Sequence, residues 1–307
     1  EHALVKKLNI QSNIKSSYFD PGGLNNLGMF LHIDGSSERP FAISKLQSSV
    51  AASREYRFQS WQENHMNNLL AARPFMLGSF KDEKFSWVTS ELLYPVQNFS
   101  DKDIKSIYEK LNVSFVKLQE LSLDKRLESL VFELDDNTKI KSILLNLVSQ
   151  LETEKAERFV KNYLKERESI LASVDGLYEN LKNVVTIYYS QISKEDISFI
   201  YGLVHGDFKK ENIMSDEEGN FKLIDLQYFT YGVRIWDLAF YYSKEKRSFS
   251  ELQQRLLKVY SWTKIERDTF IFFYIIASVL HVNRKNIQMI ASLKLEPAIK
   301  CLSECLK

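Results

Sequence analysis

The sequence of 307 residues predicts an α+β protein with two lobes, a small antiparallel sheet in front and a larger, mostly helical part behind. Three observations predict it. Over the first ninety or so residues, turn clusters such as DPGGLNN and DGSSERP separate short runs that alternate or are apolar. From about Ser100 to Ser190 long amphipathic stretches follow with almost no Gly or Pro. Strand character then returns briefly around LVHGDFKKENIM before the chain closes in segments rich in Phe and Tyr. With 44% hydrophobic and 26% charged residues, a chain of this length buries a sizeable core without staples.

In order, KSSYFDPGGLNNLGMFLHIDGSSERPFAISKL predicts three antiparallel strands. SSVAASREYRFQSWQENHMNNLLAA has apolar residues at helical spacing after a Ser-rich start, and FSWVTSELL reads as a strand. The change of texture after Tyr94-Pro95 divides the chain into lobes over residues 1–94 and 95–307. SDKDIKSIYEKLNVSFVKLQEL and KIKSILLNLVSQLETEKAERFVKNYLKERESILASV read as helices, their charge runs being solvated faces with i,i+4 pairs. NIMS (Asn212–Ser215) and FKLIDLQ (Phe221–Gln227) read as two strands joined by the turn DEEGN.

FIFFYIIASVL (Phe270–Leu280) is too short to span a bilayer and reads as a buried helix, and N-terminal EHALVKKLNIQSN lacks the apolar stretch of a signal peptide. The helical tail EPAIKCLSECLK carries both cysteines, Cys301 and Cys305, at a spacing that aims them poorly for a disulfide. Reduced thiols and a cytoplasmic location are therefore expected. With 41 basic against 40 acidic residues, no net field draws the chain to nucleic acid or an anionic membrane. His2, His32, His65 and His281 form no metal-binding spacing.

The chemistry is concentrated in LVHGDFKKENIM. Buried polar groups cost free energy unless paired, so a polar cluster between apolar flanks is presented from the edge of a core. Asp207, Lys209 two residues on, Asn212 five residues on and Asp225 after a short hairpin match what phosphoryl transfer with a divalent metal requires. A carboxylate orients the attacking hydroxyl, a cation meets the moving phosphoryl, and Asn and Asp supply metal-binding oxygens. The same logic calls for a glycine turn that lets backbone amides approach phosphates, met by Gly22 and Gly23 in DPGGLNN. It also calls for a strand Lys held by a helix Glu, met by Lys45 in FAISKL and Glu55 in SREYRF. Backbone groups near Glu91 to Leu93 are placed to meet an adenine edge.

Together PGGLNN, AISKL, SREYRF, VTSELL, HGDFKKENIM, KLIDLQ and RIWDLAFYYS resemble the aminoglycoside phosphotransferase and choline kinase superfamily, which has a bilobal protein-kinase-like fold. Gly22, Gly23 and Asn26 meet its Gly-Gly-x-x-Asn turn; His205, Gly206, Asp207 and Asn212 meet its His-Gly-Asp run with Asn five residues later. The hydrophobic-Asp-aromatic pattern is met in part, because Leu226 stands where an aromatic is usual; Gln227 resembles the ecdysteroid-kinase-like branch.

The resemblance implies ATP and Mg2+ as cofactors, with Gly22, Gly23, Asn26, Lys45, Glu55, Glu91 and Leu93 at the nucleotide and Asn212 and Asp225 on the metal. Asp207 and Lys209 would catalyse transfer of the γ-phosphate to a hydroxyl of a small molecule, a sugar, amino alcohol or antibiotic. Residues 1–94 would bind nucleotide, and 95–307 would carry catalysis and the substrate. Asp237 would brace the catalytic loop, and His205 would be a packed histidine bonded to the backbone near Asp225.

Two other readings stand beside it. Lys209 matches the catalytic-loop Lys of protein Ser/Thr kinases, but G-x-G-x-x-G, Asp-Phe-Gly and Ala-Pro-Glu are absent from the sequence. A pseudokinase interaction module predicts lost metal ligands, whereas Asn212 and Asp225 are both present. Aromatic residues Tyr231, Trp236, Tyr241 and Tyr242 are assigned mainly to the core of the helical lobe. The lysine-rich tail SLKLEPAIKCLSECLK argues against a polycationic aminoglycoside, which calls for carboxylates.

Overall fold

The computed structural model describes residues 6, 8, 13–19, 27–66, 69–80, 84–119, 153–192 and 200–306. They fall into two compact units, drawn from Glu1–Asn98, Val113–Asp135 and Glu211–Phe229 and from Phe99–Asn112, Asp136–Lys210 and Thr230–Lys307.

The first unit holds an antiparallel sheet of β1 (Ile14–Phe19), β2 (Gly28–Asp34), β3 (Pro40–Ser48), β4 (Pro74–Ser79) and β5 (Phe85–Glu91), in the order β1-β2-β3-β5-β4. Helix α1 (Ser49–His65) leaves β3 without a loop, its first turn capped by Ser48 Oγ, which accepts the Ala51 N–H at 3.4 Å. Two features depart from the sequence reading. Strand β4, PFMLGS, has no clear alternation and is defined by pairing with β5, from Ser79 opposite Ser86 to Met76 opposite Thr89. Its Pro74 stands at the first position of an edge strand, where a missing N–H is tolerated.

Helix α1 also ends at His65 instead of running through LLAA, because Met66 is extended (φ −131°, ψ 134°). Leu69 to Ala72 are nonetheless buried. Gln62 Oε1 accepts the Leu70 and Ala71 N–H groups at 3.2 and 2.8 Å, and the Leu70 carbonyl accepts from Leu223 N at 2.7 Å. A buried extended segment and a buried helical turn share the same run of apolar residues, so hydrophobic spacing could not separate them.

A smaller sheet in this unit joins β6 (Tyr94–Pro95), β8 (Ile213–Ser215) and β9 (Phe221–Leu223). Asp216 closes the β8–β9 turn, accepting the N–H groups of Glu218 and Asn220, while Gly219 takes a positive φ of 81° that a side chain would strain.

The second unit contains the start of α2 (Asp101–Gln119), then α3 (Thr153–Glu166), α4 (Leu177–Ile192), α5 (Ile235–Ser243), α6 (Phe249–Leu256), α7 (Lys264–Leu280) and α8 (Glu296–Cys305). Helix α7 is its centre: every residue from Asp268 to Val279 is buried, each large apolar one contributing about 1.5–3 kcal/mol. Reciprocal capping boxes start α6 and α7, Ser248 with Glu251 and Thr263 with Glu266. The two-stranded ribbon β7 (Tyr201–Val204) and β10 (Thr230–Val233) was not evident in the sequence, since each strand is only four residues long. No helix among the described residues is long and apolar enough to cross a membrane. The fold is α+β, bilobal and protein-kinase-like.

Candidate active site

In the first unit, strand alternation puts Lys45 and Gln47 on the face of β3 that meets α1. Lys45 Nζ donates to Asp225 Oδ1 at 2.8 Å and stands 3.7 Å from Glu55 Oε2; Gln47 Nε2 donates to that same Glu55 oxygen at 2.9 Å. Burial alone would lower the Lys45 pKa, but the charges of Glu55 and Asp225 outweigh it and hold the ammonium above its ordinary value. Lys45 is therefore a fixed cation at neutral pH.

Asp225 adopts the left-handed conformation (φ 63°, ψ 53°), which costs a non-glycine residue about 1–2 kcal/mol and ends β9 two residues before it. The predicted strand Phe221–Gln227 thus stops at Leu223, and Leu226–Tyr228 form a 3₁₀ turn. The Ile224 N–H donates to the Asn212 carbonyl at 3.0 Å, extending the β8–β9 pairing by one step. Asn212 and Asp225 therefore lie at the same end of the hairpin. Gln62 of α1 supports this end through Leu70, which bonds β9, and Phe58 packs on Phe229 with ring centroids 4.0 Å apart. Gln47 and Gln62 were missed from sequence; neither belongs to a local pattern.

An amide oxygen and a carboxylate suit a hard divalent cation, since magnesium is held by one or two protein carboxylates with nucleotide phosphates completing its shell. No cluster of three or more His, Cys, Asp or Glu among the described residues could hold a metal ion without such phosphates. Farther along the sheet, Glu91 N donates to the Arg73 carbonyl and Leu92 N to the Phe41 carbonyl. The N–H of Leu93 remains as the uncommitted backbone donor between Glu91 and Leu93 among the described bonds. Gly22, Gly23 and Asn26 lie outside the described residues.

In the second unit, the β7–β10 ribbon delivers the loop from His205 and, after a short connection, the Asp237 of α5. Asp237 accepts the His205 N–H at 2.7 Å and the Gly206 N–H at 3.0 Å, bracing the loop as the resemblance implies. Gly206, at φ 82°, makes the turn that aims both amides at one carboxylate. Complete burial raises the Asp237 pKa to about 7, against the pull of the two N–H groups and with a further push from Asp207.

His205 is buried, and its Nδ1 accepts the Asp207 N–H at 3.3 Å. Asp207 is 1% exposed, and its Oδ2 receives Lys209 Nζ at 2.5 Å. Trp236 Nε1 reaches the Gly206 carbonyl at 3.5 Å. Lys210 and Glu211 are exposed, and Trp236 and Tyr242 belong to the core.

The chain belongs to the phosphotransferase enzyme family, whose model matches residues 83–268, and with it to the aminoglycoside phosphotransferase and choline kinase-like superfamily. Members of this class are small-molecule phosphotransferases. No curated protein sequence matches the chain. Among solved structures it is similar to an amicoumacin kinase in complex with AMP-PNP, Ca2+ and its ligand (14% identity, TM-score 0.52, 99% of this chain and 93% of that one). It is also similar to aminoglycoside 2′-phosphotransferase-IIIa with GDP (9% identity, TM-score 0.53, 99% and 96%). A protein described as a fructosamine-3-kinase from Haemophilus somnus 129PT gives 14% identity and a TM-score of 0.52 over 98% and 95% of the two chains.

Proposed function

We propose that the protein is a magnesium-dependent kinase that moves the γ-phosphoryl of ATP to a hydroxyl of a small molecule. The observation that carries this reading is the contact between Lys45 and Asp225, 180 positions apart in sequence, with Glu55 beside them. A cation held between Glu55, within residues 1–94, and Asp225, at the end of the β8–β9 hairpin, is what a triphosphate and its metal require.

Lys45 binds the phosphates while Glu55 keeps it in place, and Gly22, Gly23 and Asn26 cover them. Glu91 and Leu93 meet the adenine edge, for which the Leu93 N–H is available. Asn212 and Asp225 would hold Mg2+, which neutralises the charge on the phosphate oxygens. Asp207 accepts a hydrogen bond from the acceptor hydroxyl, whose oxygen bonds the γ-phosphorus as the bond to the β–γ bridging oxygen breaks. The hydroxyl proton passes late to Asp207, and ADP leaves. Lys209, bonded to Asp207, meets the charge of the moving phosphoryl. Binding of AMP-PNP and Ca2+ by the similar amicoumacin kinase supports the use of nucleotide and divalent metal.

Because such catalysis is mainly positioning and charge stabilisation, Asp207→Asn is expected to lower turnover about a thousandfold while ATP binding survives. ADP release with a panel of alcohols and calorimetry with ATP–Mg check both halves. A fully active variant would remove Asp207 from the mechanism.

A further inference from the structure

In the first unit, two side chains of β3 approach one oxygen of Glu55. Gln47 Nε2 donates to Glu55 Oε2 at 2.9 Å, while Lys45 Nζ stands 3.7 Å from that atom, beyond the roughly 2.7–3.2 Å of an N–H···O bond. Lys45 makes its short contact, 2.8 Å, with Asp225 Oδ1. The helix carboxylate is thus held by an amide, and the cation by the carboxylate proposed to meet the metal.

Gln47 is anchored for this task. It lies on a central strand of the sheet, opposite Ser86 of β5, and is 1% exposed. Strand alternation puts it on the same face as Lys45, two residues and about 7 Å farther along β3. Its Oε1 is buried without a partner. An orphaned buried oxygen costs free energy that an unbranched apolar side chain of similar length would avoid, so packing does not account for an amide here. What the amide does is fix Glu55, whose side-chain torsions would otherwise let its carboxylate turn away from Lys45.

Metal-bound nucleotide changes the balance at Lys45. A divalent cation on Asp225 draws on the carboxylate that Lys45 bonds and sets like charge beside the ammonium. Glu55 Oε2 is the other carboxylate oxygen beside Lys45. Closing the gap from 3.7 Å to hydrogen-bond length is a side-chain movement of about 1 Å.

We propose that Gln47 is a positioning residue, holding Glu55 Oε2 ready to take Lys45 over from Asp225 as metal-bound nucleotide enters. This rests on the kinase reading and goes beyond it, because it gives a task to a side chain outside the motifs that carry the family resemblance.

The test is calorimetric titration of the whole chain with ADP, once with Mg2+ and once with EDTA in its place. Gln47→Met is expected to weaken ADP–Mg about tenfold, as for loss of a charge-assisted hydrogen bond. It should change metal-free ADP by less than about twofold, because Lys45 then stays with Asp225. In a Glu55→Gln background the same substitution should have no further effect on ADP–Mg. Gln47→Asn, whose amide is one methylene short of Glu55, should behave as Gln47→Met does, and it decides the matter if Gln47→Met fails to fold. A merely structural Gln47 would lower stability in urea without touching the difference between the two titrations. Equal weakening with and without metal, or an effect of Gln47→Met that persists at full size beside Glu55→Gln, would overturn the proposal. Failure of ADP–Mg to bind the unsubstituted chain would instead count against the kinase reading, and this inference would fall with it.

Discussion

Lys45 and Asp207 both sit among buried polar groups, but the two are held by different kinds of contact. The Lys45 cluster consists of side chains from β3, α1 and the end of the β8–β9 hairpin, joined by ion pairs at 2.8 and 3.7 Å. The Asp207 loop is held through its backbone, with two N–H groups on Asp237 and a third on His205 Nδ1. Side-chain ion pairs can exchange partners when phosphates or metal arrive; backbone amides aimed at one carboxylate cannot move without remaking the loop. The difference suits their proposed tasks: the metal and nucleotide site adapts to what enters, and the carboxylate that orients the hydroxyl stays put.

Substitution separates the two cases. Lys45→Met leaves Glu55 and Asp225 in a largely buried setting without their cation, and should cost about 3 kcal/mol, read by urea unfolding. Adding Glu55→Gln should restore part of that loss. Indifference of the single variant would mean that solvent, not the ion pairs, satisfies these charges.

Asp237→Asn keeps the shape but turns an N–H donor toward one of two backbone N–H groups, and should cost about 2 kcal/mol. Turnover should fall with nucleotide affinity unchanged. This variant also has a pH signature. The folded pKa of Asp237 lies above the ordinary 3.8, so the native state binds the extra proton between there and about 7. Its contribution to stability is therefore present at low pH and lost as pH rises through about 7. Asp237→Asn should remove that slope.

His281 gives the smallest expected effect, of opposite sign. Its folded pKa of about 4 lies below the ordinary 6.5, so the unfolded chain takes the proton first as pH falls. Stability from this group is whole above 6.5 and is lost toward 4. In His281→Gln the difference between urea midpoints at pH 7 and pH 5 should shrink; an unchanged difference would show that the ring is protonated in the fold.

What could be read from the sequence was contiguous. His205-Gly206-Asp207 with Asn212, the Lys45 strand followed by the Glu55 helix, and the buried run Phe270–Leu280 are signals within one element or one turn. What could not be read depends on a partner far along the chain. Strand β4 exists through β5, the β7–β10 ribbon through pairing across 25 intervening residues, and LLAA is extended because Gln62 and Leu223 take its backbone groups. Gln47 and Gln62 carry no local mark of the bonds they make.

By itself, then, the sequence determined which chemical groups are present, their order along the chain, and the periodicity that makes most of the helices and strands, because all three are properties of neighbouring residues. Only the tertiary structure decided that Lys45 bonds Asp225 more closely than Glu55, that Asp225 takes a left-handed turn, and that Gln47 reaches Glu55. Those outcomes are set by packing and by the burial of charge, which no single segment contains.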